Sequence, residues 1–206
     1  MRNLVRAGIT VALLFLNLAA PLAQLAPGPF EDFRHRADQG DAHAQFILGF
    51  MYDHGHDQDY AAAVGWYRKA ADQGLAPAQV NLGIMYQYSL GVPQDNAVAV
   101  SWYRKAADQG YADAQNELGF MYENGLGVPQ DFVSAHMWFN LAAKGRNAFA
   151  TKNLDMLAAK MTPAQIGEAE KRFAEWRPLP AYSRDQSLPD PRSAPIAPPK
   201  SAPPRQ

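Results

Sequence analysis

The sequence predicts an all-α protein, a right-handed α-solenoid made of antiparallel helix pairs. Three observations predict it. The segment WYRKAADQG occurs at Trp66–Gly74 and Trp102–Gly110, and a degenerate copy, WFNLAAKG, starts at Trp138, so successive copies begin 36 residues apart. An apolar frame of constant spacing precedes each copy, and in two units a glycine- and proline-bearing turn joins frame to copy. A period of this length marks a helix–turn–helix unit that buries its apolar face only by stacking on its neighbours.

The first helix of each unit carries Ala44, Leu48, Gly49 and Tyr52; then Ala78, Leu82, Gly83 and Tyr86; then Ala114, Leu118, Gly119 and Tyr122. Alanine, leucine and tyrosine at i, i+4 and i+8 share one helical stripe. A glycine inside a helix costs up to about 1 kcal/mol relative to alanine, so its recurrence at one frame position points to close packing by the second helix. The turns SLGVPQD and GLGVPQD follow in the second and third units. Gly91 and Gly127 can take a positive φ there, while Pro93 and Pro129 restrict the approach to the next helix. Asp59, Asp95 and Asp131 are placed as N-caps.

Each second helix repeats an apolar face at i, i+3, i+4 and i+7: Ala63, Trp66, Tyr67 and Ala70; Ala99, Trp102, Tyr103 and Ala106; Ala135, Trp138, Phe139 and Ala142. The three tryptophans are expected in the core. Gly74, Gly110 and Gly145 are expected to end these helices in the C′ position. Upstream, FRHRADQG at Phe33–Gly40 matches the end of a second helix, so the array starts on a partial unit. Downstream, Phe149–Met161 and Thr162–Trp176 read as two closing helices, the latter with Thr162, Pro163 and Gln165 forming a capping box.

The frame AxAQxxLGxxY, then GVPQD, then AxxWYRKAADQG resembles the Sel-one-like repeat family, longer-looped relatives of tetratricopeptide repeats. The resemblance covers about 30–145, and the stretch to Trp176 is similar to the closing helices of bacterial members. The first unit departs from it, since Tyr52 and Asp59 are too close and the GVP element is missing. The resemblance implies an adaptor for protein complexes or signalling, with some exported bacterial members linked to the envelope or to host contact. It also implies that the first helices line the concave face.

The two ends lie outside this frame. Residues 1–26 start with Arg2 and Arg6 and continue into a short apolar run, the form of a secretory signal peptide, an uncleaved signal anchor being the other reading. The expected location is the periplasm, or outside the cell. The repeat region is then 27–176. Residues 177–206 hold nine of the 16 prolines and form an expected disordered, partly polyproline II tail. The chain has no cysteine, which excludes disulfides, thiolate metal sites and a lipid-modified cysteine. Residues 30–176 contain 12 Lys/Arg against 18 Asp/Glu, an acidic body that argues against nucleic acid as a partner.

Chemistry is sparse. The loop DHGHDQD offers His54, His56, Asp57 and Asp59 as metal ligands, but the spacing fits no defined zinc pattern, and a solvated loop is the preferred reading. No nucleophile motif or paired carboxylates emerge, so no catalytic residue, cofactor or metal is assigned. Recognition is sought at positions the frame leaves free. Phe46, Ile47 and Phe50 offer apolar contacts, while Asn81, Asn116 and Glu117 offer hydrogen bonds, for a protein or peptide partner. The expected function is a non-enzymatic envelope scaffold. The alternatives are a peptidoglycan-related factor touching a cell-wall component and a secreted host-interaction protein.

Overall fold

The computed structural model describes residues 29–55 and 58–180. The export segment expected at 1–26 lies outside the described residues, as do His56 and Asp57 and all of the proline-rich tail after Pro180. Among the described residues the structure is entirely helical. In chain order it runs α1 (Pro29–Asp38), α2 (Ala42–His54), α3 (Tyr60–Asp72), α4 (Ala76–Tyr88), α5 (Asn96–Asp108), α6 (Ala112–Asn124), α7 (Phe132–Lys144), α8 (Ala150–Ala158) and α9 (Pro163–Glu175). Helices α2 to α7 have 13 residues each and so form equal rods of about 20 Å that stack without overhang. They pair as α2–α3, α4–α5 and α6–α7, and the second helix of each pair packs on the first helix of the next. This is an α-solenoid.

The repeated glycines set the spacing within each pair. A Cβ added to Gly49 would lie 2.5 Å from the Tyr67 ring, one on Gly83 2.5 Å from the Tyr103 ring, and one on Gly119 2.6 Å from the Phe139 ring. Each second helix thus lays an aromatic ring flat against bare backbone, and Tyr67, Tyr103 and Phe139 are completely buried. Buried clusters run across unit boundaries: Leu82 and Met85 join Tyr67 and Ala70, and Leu118 and Met121 join Val80 and Tyr103. No unit has a core of its own.

The joints follow from the same residues. Asp59, Asp95 and Asp131 cap α3, α5 and α7, each accepting a backbone N–H from the first turn. Gly91 and Gly127 adopt φ of +70° and +69°. Their lack of a side chain lets each loop press on the start of the previous unit's second helix, at Tyr60 and Asn96. Gly74 and Gly110 hold the left-handed C′ position, with Leu75 and Tyr111 donating back to Ala70 and Ala106 in Schellman turns. A glutamine ladder spans these turns. The Gln45, Gln79 and Gln115 amides donate to the carbonyls of Ala37, Ala71 and Ala107, while Gln73 and Gln109 donate in turn to Gln45 and Gln79.

Two expectations need correction here. Gly145 is not the C′ residue: its φ is −75°, and Arg146 takes the left-handed conformation at +64°. The third copy carries its glycine one position early, where a side chain would meet Ala112 at 2.6 Å, so close approach rather than backbone handedness selects it. Nor are the three tryptophans equivalent. Trp138 is buried, but Trp66 and Trp102 are only half-buried, and each is covered by a lysine, Lys69 at 3.8 Å and Lys105 at 3.7 Å from the ring centroid. In the third copy Leu141 replaces that lysine and the Trp176 ring meets Trp138 edge-on at 6.3 Å.

The closing hairpin is shorter than expected at α8, which spans Ala150–Ala158 rather than 149–161. Helix α9 begins with the expected capping box and packs on α7. The chain beyond α9 turns back over the solenoid, where the Leu179 N–H donates to the Asp108 carbonyl at 2.6 Å.

Candidate functional site

The face built by α2, α4 and α6 is where the units differ. Ile47, Asn81 and Glu117 share one frame position, directly before the buried leucine of each unit. The tyrosines of the first two second helices bring their hydroxyls to this face. The Tyr67 hydroxyl donates to Asp53 Oδ2 at 3.2 Å, and the Asn81 side chain of the next unit meets the Tyr67 hydroxyl oxygen. The Tyr103 hydroxyl donates to Gln87 Oε1 at 2.6 Å and lies near Glu117 and Tyr88. Burial, reinforced by Asp53 for Tyr67 and by Glu117 for Tyr103, pushes both phenols well above their usual range, so both remain donors at any physiological pH.

Glu117 is the odd member of this row. Burial, with Asp113 nearby, raises its carboxyl above the usual carboxylate range, and the Asn116 amide at 3.3 Å only partly offsets this. Among the described residues no lysine or arginine pairs with it. A half-buried carboxylate left without a cation destabilises the free protein, and a partner's ammonium or guanidinium relieves that cost. Apolar contact area flanks the row: Phe50 is 47% exposed, Phe120 38% exposed and Tyr88 60% exposed, with Met51 beside Phe50.

The other sequence-derived candidates fall into two groups. Ile47 and Asn81 are partly exposed on this face. Phe46, in contrast, packs against the Tyr67 ring at 5.8 Å within the inter-unit core, and Asn116 is only 7% exposed. Asn116 accepts a hydrogen bond from Asn153 of α8 at 2.9 Å, so the closing hairpin occupies its outer side. Asn153 follows Glu117 by one further 36-residue step, which makes α8 a truncated first helix of a fourth unit. The polar row of Asp53, Gln87 and Glu123 was missed from sequence. Its signal was the single change of the WY pair to Trp138–Phe139, which removes a hydroxyl and leaves Glu123 to Lys160 at 2.8 Å.

The first loop is described only in part. His54 stacks on Phe50 with centroids 4.2 Å apart, its Nδ1 lies 3.4 Å from Asp53 Oδ2, and Asp59 serves as the α3 cap. Among the described residues no three metal-type ligands gather. None of the described helices is long and apolar enough to cross a membrane.

A fold of stacked, glycine-spaced helix pairs with a variable first-helix face defines a solenoid repeat protein. The family model for the Sel1 repeat matches residues 42–75, 76–111 and 112–147, more than half of the sequence. The chain belongs to the Sel1 repeat family. It is similar to the crystal structure of c5321, a protective antigen present in uropathogenic Escherichia coli strains that displays an SLR fold (31% identity, TM-score 0.57). That match covers 71% of this chain but only 40% of the antigen's. It is also similar to a Sel1 repeat protein from Oxalobacter formigenes, at 42% identity and TM-score 0.56, covering 61% of this chain and 96% of that one. No curated protein matches significantly. Sel1 repeats imply a scaffold for protein–protein interaction.

Proposed function

We propose that the protein is a non-enzymatic scaffold of the bacterial envelope that holds a protein or peptide segment on its first-helix face. The observation that carries this reading is Glu117, a half-buried carboxylate without a cation, set in a row of phenol and amide groups between Phe50 and Phe120. That arrangement suits a segment offering a lysine or arginine to Glu117 and apolar side chains to either flank. The short basic and apolar start of the sequence supports the periplasm as the place of action.

Glu117→Gln separates a binding role from a structural one. Its raised pKa means that the stability Glu117 contributes is present below the ordinary carboxylate range and is lost as pH rises through the raised value. The variant is therefore expected to melt higher than wild type at pH 7, with the gain fading toward pH 4, and to recover less partner from envelope extract. Undiminished recovery would take Glu117 out of the contact.

The likeness to a protective antigen favours one second reading, exposure at the cell surface or release. Enrichment in the culture medium rather than the periplasmic fraction would establish it.

A further inference from the structure

A second site lies at the opposite end of the unit, where the glutamine ladder breaks. In the first two rungs Gln73 and Gln109 donate to the side-chain oxygens of Gln45 and Gln79, at 2.7 and 2.9 Å. The equivalent third rung has no donor, because position 145 is glycine. Gln115 still donates to the Ala107 carbonyl at 3.2 Å, but its Oε1 receives no hydrogen bond from any described residue. Gln115 is only 2% exposed, but its Oε1 is not sealed from solvent and borders the cavity at this end, so a ligand's N–H can take the place left by the missing donor.

The vacancy is not collapsed. A cavity of about 710 Å³ opens at Gln115, within the range of roughly 300–1,000 Å³ typical of small-ligand sites. Its apolar walls are Leu141, Phe173 and Trp176. Its rim carries Lys144 and Arg177, and among the described residues no carboxylate lines it. Lys144 lies over the Phe173 ring at 5.6 Å, and among the described residues it pairs with no acid. Arg177 uses Nη1 on the Ala174 and Trp176 carbonyls, which fixes it at the rim with its remaining N–H groups available. The strap that forms one wall is pinned by the hydrogen bond from Leu179 to Asp108.

Three of the six positions at which the third copy departs from the other two, Leu141, Lys144 and Gly145, line this cavity. Leu141 and Lys144 replace Lys69/Lys105 and Asp72/Asp108, so one end of an otherwise acidic body gains apolar surface and loses a negative charge. An orphan acceptor, an apolar wall and two cations together specify a ligand with an N–H donor, an apolar side chain and an anion.

We infer that this cavity binds the C-terminal residue of a peptide chain that ends in an apolar side chain and a free carboxylate. The last backbone N–H donates to Gln115 Oε1, the side chain packs between Leu141, Phe173 and Trp176, and the carboxylate sits between Lys144 and Arg177. The site shares no residue with the first-helix face, so either assignment can fail without the other.

The test is a fluorescence-anisotropy titration of the full chain with a labelled pentapeptide ending in leucine, as the free acid and as the C-terminal amide. Saturable binding of the acid is expected, with the amide at least tenfold weaker. Lys144→Gln should weaken the acid by a similar factor, and Ala174→Phe, which narrows the mouth from an exposed position, should abolish binding. Lys152→Gln on α8 should change nothing. Equal affinity for acid and amide, unaltered binding by a folded Lys144→Gln or Ala174→Phe variant, or no saturable binding would each overturn the assignment.

Discussion

At the scale of single residues, glycine does two separate jobs in this chain, and they predict opposite effects of alanine. Gly83 lies under the Tyr103 ring, so a methyl group there must displace a ring that has nowhere to go. Gly83→Ala is expected to destabilise by about 1–3 kcal/mol. Gly65 sits mid-helix in α3 on the exposed side, where an added Cβ meets nothing within 4 Å. Gly65→Ala is expected to stabilise by up to about 1 kcal/mol. Urea unfolding of the two variants checks both signs, and destabilisation of similar size at both positions would remove the packing explanation. The glycine frame was legible in the sequence because a costly residue recurred at one helical position. The half-exposure of Trp66 and Trp102 was not, because burial at that position depends on which side chains lie over the ring, and the frame does not show that. Only Trp138 receives another tryptophan, and the others receive lysine stems.

At the scale of elements, the ends of α7 show how the last repeat is tied to the closing hairpin. Burial pushes the Asp131 carboxyl up, but the Ser134 hydroxyl, the Ser134 and Val133 N–H groups and Arg172 of α9 outweigh it and hold the group below its ordinary range. The stability Asp131 contributes is therefore present above the ordinary value of 3.8 and is lost as pH falls through the depressed one. Asp131→Ala should cost about 1 kcal/mol at pH 7, the usual worth of an N-cap. That cost should shrink below about pH 4, the ordinary carboxylate range, and chemical denaturation at pH 7 and pH 2.5 checks it. A cost independent of pH would assign the effect to packing instead. The three aspartate caps and the capping box at Thr162 could be read directly from residue types and spacing. The identity of α8 as a truncated fourth first helix could not, since only Ala150 and Leu154 keep the frame and its turn is lost. For the same reason Asn116 looked free in sequence and is covered by Asn153.

At the scale of the whole molecule, the repeated residues are committed to stacking and the differing ones are gathered in two places. The first-helix face carries Ile47, Asn81 and Glu117, and the C-terminal cavity is lined by Leu141, Lys144 and Gly145 of the third copy. Stacking is what makes this division necessary. Because every core cluster is shared between units, a change in the frame weakens two units at once, whereas a change on the variable face leaves the shared core intact and alters what that face can hold. The central claim is that partners are held on the first-helix face. Photo-crosslinking in intact cells tests it most directly, with a photoreactive phenylalanine analogue placed at Phe50, at Phe120 or, on the exposed side of a second helix, at Gly65. The account predicts the same discrete adduct from positions 50 and 120 and none from position 65. An adduct from position 65 with none from the other two would contradict it.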